Sequence, residues 1–213
     1  MKKILIVNKN LFFKNKLKNS KKFKYIFITT KKKLTLKNVH KISPNLIFFP
    51  HWSFLVDKKI LENYECVGFH SSPLPYGRGG SPIQNMVLRG HKKTKVCCFK
   101  LSPKLDEGKI YFDNNLSLSG TANEIFGRLY ILIIKMIKKF LKKKYTPILQ
   151  SGRVYHFKRR TKKDSLLEKN LNLLKLYDKI RILDYNQKNF PKAFIRHGKF
   201  KIIFYDPVIK RKK

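Results

Sequence analysis

The chain has 213 residues, 42% apolar and 13% aromatic, enough to bury a core and too apolar for disorder despite 29% charged residues. Its formal net charge of +38 points toward anionic partners, yet 41 of the 50 basic residues are Lys and only 9 are Arg. Arginine is the usual bidentate reader of nucleic acid, so a diffuse Lys excess over solvated faces is the favoured reading and nucleic acid a less favoured partner.

The elements follow in chain order. Residues 3–7 form a β-branched run that reads as a first strand, residues 9–22 as loosely helical, and residues 25–29 as a second strand. Lys and Asn obscure any periodicity over residues 30–43. Leu46, Ile47, Phe48 and Phe49 make a short apolar run stopped by Pro50, as expected of a buried parallel strand. A helix is expected over residues 56–63, a strand over 66–70, and a Ser-, Pro- and Gly-rich loop over 71–80. Ser81 and Pro82 predict a helix start, with Ser as N-cap and Pro at the first helical position. Strands are expected over 94–99 and 109–112. Thr121 and Glu124 form a capping-box pair opening a long helix to about residue 143, its apolar face carried by Ile125, Leu129, Leu132, Met136 and Phe140.

Beyond Gln150, Ser151 and Gly152 the character changes. Residues 153–158 read as extended, 165–183 as a Leu-rich helix, and 193–205 as a β-hairpin around His197 and Gly198. A boundary near 150 divides a catalytic domain, 1–150, from a small C-terminal helix-and-hairpin appendage, 151–213. Alternating strands and helices in the first part predict an α/β, Rossmann-like fold with a mostly parallel sheet.

Cys66, Cys97 and Cys98 lack metal-ligand spacing and read as reduced, buried small hydrophobes, so no metal site is expected and the compartment is expected to be cytoplasmic. The apolar run after Met1 is too short for a signal peptide, and Arg128, Lys135, Lys138 and Lys139 interrupt the most apolar helix, so no membrane partner is expected.

In open α/β sheets ligands bind beyond the carboxyl ends of the strands. Three strand ends carry polar or titratable groups: residues 50–55, the loop from His70 to Pro82, and the turn Leu105-Asp106-Glu107-Gly108. The long loop lies in a window without Lys, between Lys59 and Lys92. Taken singly, each feature has a plain structural explanation. A strand-end His is more often structural, Asp-Glu-Gly is a common turn, and Gly77-Arg78-Gly79-Gly80 lacks any complete phosphate-loop pattern.

In order and spacing, residues 45–108 resemble the formyltransferase family that includes methionyl-tRNA, glycinamide ribonucleotide and sugar N-formyltransferases. His70, Ser72, Leu74, Pro75 and Gly79 match its central motif, and Asp106 with Gly108 matches the downstream Asp-x-Gly. Pro82, Ile83 and Gln84 match the helix start, and the resemblance extends to about residue 145. It implies that 10-formyltetrahydrofolate is the co-substrate, its pterin held by Phe49, Pro50, Trp52, Phe54, Leu55 and Leu105. It implies His70 and Asp106 as the catalytic pair, and Ser72, Arg78, Gln84 and Asn85 as residues facing the acceptor. Where the family carries a catalytic Asn, two residues before the His, this chain has Gly68. Ser71, Ser72 and Asn85 are the candidate substitutes for its oxyanion donor. The segments at 155–160 and 189–194 resemble the tails of small sugar formyltransferases. About sixty residues after the boundary are too few for the barrel-like domain of tRNA-type enzymes. The expected acceptor is therefore a nucleotide-linked amino sugar of surface polysaccharide synthesis, with a tRNA-type acceptor or a basic RNA-binding module as alternatives and a homodimer left open.

Overall fold

The structure is a computed structural model that describes residues 1–186 and 190–210. In chain order it runs β1 (Lys2–Val7), α1 (Leu11–Lys16), β2 (Phe23–Ile28), α2 (Leu36–Ile42), β3 (Leu46–Phe49), α3 (Lys58–Asn63), β4 (Cys66–His70) and β5 (Tyr76–Gly79). It continues through α4 (Pro82–Leu88), β6 (Lys93–Lys100), β7 (Ile110–Ser117), α5 (Ala122–Phe140), β8 (Tyr155–Phe157), α6 (Leu173–Leu183), β9 (Phe194–His197) and β10 (Phe200–Ile203).

Six strands form one sheet in the order β2-β1-β3-β4-β6-β7, the first four parallel and the last two antiparallel. The sheet is mostly parallel, as the alternation of elements predicts. Both faces are covered, and the period-2 alternation of strand side chains divides the core accordingly. Ile4 and Ile6 of β1 pack with α1, α4 and α5, whereas Leu5 and Val7 pack with α2 and α3. On β4 the same alternation sends Val67 and Phe69 to the first layer and puts Gly68 and His70 on the face that carries Cys66.

The Thr121–Glu124 capping box is present: the Glu124 N–H donates to Thr121 Oγ1 (3.3 Å) and the Thr121 N–H to Glu124 Oε2 (2.7 Å). The buried stripe of α5 runs through Ile125, Leu129, Ile133 and Ile137, four residues apart and almost wholly covered. Each contributes about 2 kcal/mol through burial. This stripe has rotated from the expected one: Leu132 and Phe140 are only half-buried at its edge.

Other expectations need correction. Within the expected loop 71–80, Tyr76–Gly79 is a strand that pairs in parallel with β8. The expected helix over 165–183 begins only at Leu173, capped by the Asn172 side chain (2.9 Å to the Lys175 N–H), because Asn competes better as a cap than as a helix interior residue. Strand β7 extends to Ser117 through Asp113, Asn114 and Asn115, since a sheet-edge strand tolerates polar residues that a buried one would not. Ser81 precedes α4 but lies in the left-handed region (φ 52°), and its hydroxyl accepts from the Arg160 N–H (3.2 Å) rather than capping the helix.

The residues after 150 pack against the same core. Phe157, Leu167, Ile180, Ile182, Leu183 and Ala193 join the layer that contains α5. Buried Arg181 pairs with Asp178 (2.6 Å) and donates to the carbonyls of Leu118 (2.9 Å) and Gly120 (2.6 Å), tying α6 to the loop before α5. The β9–β10 hairpin forms as expected. The Asn189 that opens the tail segment lies outside the described residues.

Candidate active site

His70 ends β4, and its ring is held from both sides. Nε2 lies 2.7 Å from the Gly77 carbonyl oxygen, which also accepts from Ser72 Oγ (3.0 Å). A carbonyl can only accept, so Nε2 carries a proton and Nδ1 is the ring position left to exchange one. Facing Nδ1 at 3.5 Å is Asp106 Oδ2, and both side chains are nearly buried, 8% and 13% exposed. The same carboxylate oxygen accepts from the Gly79 N–H (2.9 Å).

The turn that presents Asp106 is fixed by its sequence. Asp106 adopts φ 54°, which Asp tolerates better than most residues. A side chain on Gly108 would put its Cβ 1.6 Å from the Lys100 carbonyl oxygen, so only glycine lets the turn close against β6. Gln150 completes the frame. Its amide nitrogen donates to the carbonyls of Asp106 and Gly108 (2.8 Å each), and its oxygen accepts from Arg78 Nε (3.1 Å) and Nη2 (2.8 Å). Arg78 Nη1 in turn pairs with Glu107 (3.1 Å).

His70 and Asp106 line a cleft of about 670 Å³. Its apolar lining is built from Phe49, Trp52, Phe54 and Leu55 of one segment and Leu101, Pro103 and Leu105 of another. Leu55 and Leu105 are 70% and 54% exposed at its rim, and Trp52 Nε1 is buried there without a hydrogen-bond partner among the described residues. Such a slot fits a flat, partly polar heterocycle, which would cover the rim leucines and offer the indole an acceptor.

Of the residues expected to face the acceptor, only Gln84 lines the cleft. Arg78 is engaged by Gln150 and Glu107. Ser72 is fully buried under Gly77. Asn85 donates to the carbonyls of Gly80 (3.0 Å), Ser81 (3.1 Å) and Lys158 (3.2 Å), clamping β5 to the segment after β8. Pro50 is buried behind the wall and its carbonyl accepts from the Asn8 side chain. The glycines at 77–80 serve close packing: a Cβ on Gly79 would sit 2.5 Å from the Phe157 carbonyl oxygen, and one on Gly80 2.4 Å from Arg159 Cα. At Gly68 a Cβ would meet Leu101 Cδ2 at 2.6 Å and Phe99 Cε1 at 2.8 Å, so those side chains occupy the space an Asn would need.

Sequence reasoning did not find Gln150, Arg159, Arg160, Phe126 or Tyr185, all of which frame or line the cleft. Gln150 carries no spacing signal, and the two arginines are lost in a basic tail. His51 also lines the cleft, its ring edge-on to Phe126 and Tyr130. Desolvation there, then the nearby Arg159 charge, push its pKa down to about 4, although much of the residue stays open to solvent, and it is neutral at physiological pH. Burial raises the Cys66 thiol to about 12 and the Cys97 thiol to about 11, so these are inert core groups. Among the described residues no cluster of His, Cys, Asp or Glu is arranged to hold a metal ion.

Over its whole length the chain superimposes on a solved structure titled methionyl-tRNA formyltransferase from Clostridium thermocellum, with 39% identity, a TM-score of 0.91 and 96% of that chain covered. The chain belongs to the formyltransferase family. Within that family, residues 162–213 match the model described as the methionyl-tRNA formyltransferase C-terminal domain. Methionyl-tRNA formyltransferases of Rickettsia prowazekii and Campylobacter jejuni are 35% identical over 86 residues and 30% identical over 171 residues. These matches take in 39% and 79% of this chain but span only 28% and 55% of the two relatives. A sugar N-formyltransferase structure from Shewanella shares the fold at 17% identity, with a TM-score of 0.76 and both chains fully covered.

Proposed function

We propose that the cleft transfers a formyl group from 10-formyltetrahydrofolate to a primary amine, and that the amine belongs to an aminoacylated RNA. The observation that carries the reaction is the geometry around His70. With Nε2–H tied to the Gly77 carbonyl, Nδ1 is the ring atom that can exchange a proton, and it faces the Asp106 carboxylate at 3.5 Å inside a cleft suited to a pterin. The bound folate supplies the formyl carbon; the chain supplies positioning and proton transfer. Nδ1 takes the proton that the amine sheds as its nitrogen bonds to that carbon. Asp106 offsets the imidazolium charge, and Nδ1–H returns the proton to the departing nitrogen. Charge developing on the formyl oxygen needs a donor that Gly68 cannot give. Of Ser71, Ser72 and Asn85, only Ser71 lines the cleft, so Ser71 is the remaining substitute.

The acceptor assignment departs from the sequence-based preference for a nucleotide-linked amino sugar. Support for RNA comes from the full-length 39% likeness to a protein titled methionyl-tRNA formyltransferase and from the tail's match to that type's C-terminal domain. The likeness to sugar enzymes, at 17% identity, extends to the fold alone. The test is formyl transfer from 10-formyltetrahydrofolate to two acceptors at equal concentration, methionyl-tRNA and a nucleotide-linked amino sugar. Turnover on the RNA alone is expected. Turnover on the sugar alone would restore the earlier reading of the acceptor, and turnover on neither, with folate bound, would contradict both.

A further inference from the structure

Behind the basic corner of the cleft lies a second cavity, of about 390 Å³, between the end of α4, the segment 160–171 and α6. Four cations line it, Arg160, Lys163, Lys175 and Lys179, against two carboxylates, Asp164 and Glu168. Arg160 lines both cavities, and its backbone N–H is anchored on the Ser81 hydroxyl, itself a wall of the cleft. The cations are poorly compensated. Among the described residues the one hydrogen bond of the Arg160 side chain runs from Nη2 to the Asp164 carbonyl oxygen (2.6 Å), and its Nε is buried without a partner. The Asp164 carboxylate is taken by the Thr161 N–H (2.5 Å) and hydroxyl (2.9 Å). Lys179, its side chain only 8% exposed, has Glu168 at 3.6 Å, and that carboxylate is 71% exposed. Burial chiefly, against a counteracting pull from Asp164 and with a further push from Arg89, holds the Arg160 pKa below the usual arginine value. An unpartnered guanidinium nitrogen on half-buried Arg160 and a buried Lys179 ammonium held only by an exposed carboxylate are costly unless an anion completes them.

We propose that this cavity is a phosphate subsite for the acceptor, joined to the formyl cleft through Arg160. The subsite takes a phosphate ester, from an RNA backbone or a nucleotide diphosphate alike, because four convergent cations with one guanidinium fork match a tetrahedral oxyanion. It sets where the acceptor's anionic portion lies relative to the amine. The kinetic arm of the test rests on the formyl-transfer reading; the binding arm does not.

Inorganic phosphate is the binding probe, followed by phosphorus NMR line broadening on the full chain. Lys163 and Lys175 are exposed, so K163Q/K175Q keeps the fold, and R160Q tests the link to the cleft. Phosphate binding should weaken by about tenfold or more in each variant. In K163Q/K175Q the KM for acceptor should rise by a similar factor while the KM for the folate donor stays in place. A shift with methionyl-tRNA alone identifies an RNA phosphate, and one with the nucleotide sugar alone a diphosphate. Unchanged phosphate binding in both variants would overturn the subsite and leave formyl transfer untouched. A rise in donor KM instead in K163Q/K175Q, whose residues line the second cavity alone, would overturn it in favour of a folate carboxylate. Weakened phosphate binding in a chain that transfers no formyl group would uphold the subsite and count only against the transfer reading.

Discussion

At the scale of single residues, the proposed catalytic geometry depends on groups that frame the His70–Asp106 pair from behind. The Asp106 carboxylate stands opposite His70 because its turn is bonded at two carbonyls by Gln150, itself fixed by Arg78. Gln150→Ala should therefore leave the fold intact and lower kcat by about tenfold to a hundredfold, because small misplacements of reacting groups are expensive. KM for either substrate should change little, whereas a merely structural Gln would move the melting temperature and not kcat. That His70 and Asp106 meet in one cleft was legible in the sequence, since His70 ends a strand, Asp106 stands in the turn between two strands, and the two come in a recognisable order. Gln150 was not, because its role arises from two carbonyls forty-odd residues away and from no local pattern. The acceptor-facing roles expected of Ser72, Arg78 and Asn85 show the converse. Their residue types suited a ligand, but buried carbonyls and carboxylates of the frame claim their hydrogen bonds.

At the scale of elements, the decisive feature is the parallel seam between β5 and β8. It brings the chain after residue 150 against the active-site loop, and glycines let it close. Gly79 and Gly152 both have positive φ, 101° and 111°, but only Gly79 has a neighbour in the way, the Phe157 carbonyl oxygen. Gly152→Ala should cost about 1 kcal/mol from backbone strain, and Gly79→Ala about 2–4 kcal/mol because the seam must part. Urea denaturation measures both. Gly79→Ala should also lower kcat, since its N–H holds Asp106. The apolar elements were readable: β1, β3, β4 and α5 carry apolar runs or a capping box. The seam was not, because a four-residue strand of Tyr, Gly, Arg and Gly reads as loop until a second strand lies beside it.

At the scale of the whole molecule, charge both reveals and conceals. The stretches free of Lys, between Lys59 and Lys92 and between Lys109 and Lys135, hold β4, the His70 loop, α4 and most of the buried stripe of α5. Most residues of these stretches are buried or half-buried, which leaves little room for Lys, and the cleft lies among them. The remaining surface is so uniformly basic that the cations lining the two cavities, Arg159, Arg160, Lys163, Lys175 and Lys179, were indistinguishable from their neighbours. What separates them is convergence on a cavity, a property of the fold. The central claim is that this cleft moves a formyl group with His70 as its base. It is tested most directly by the release of tetrahydrofolate from 10-formyltetrahydrofolate on addition of the amine acceptor, in the native chain and in His70→Ala. Steady release by the native chain and a loss of about a hundredfold or more in the variant is the predicted result. Equal rates in the two, with fold and folate binding unchanged, would contradict it.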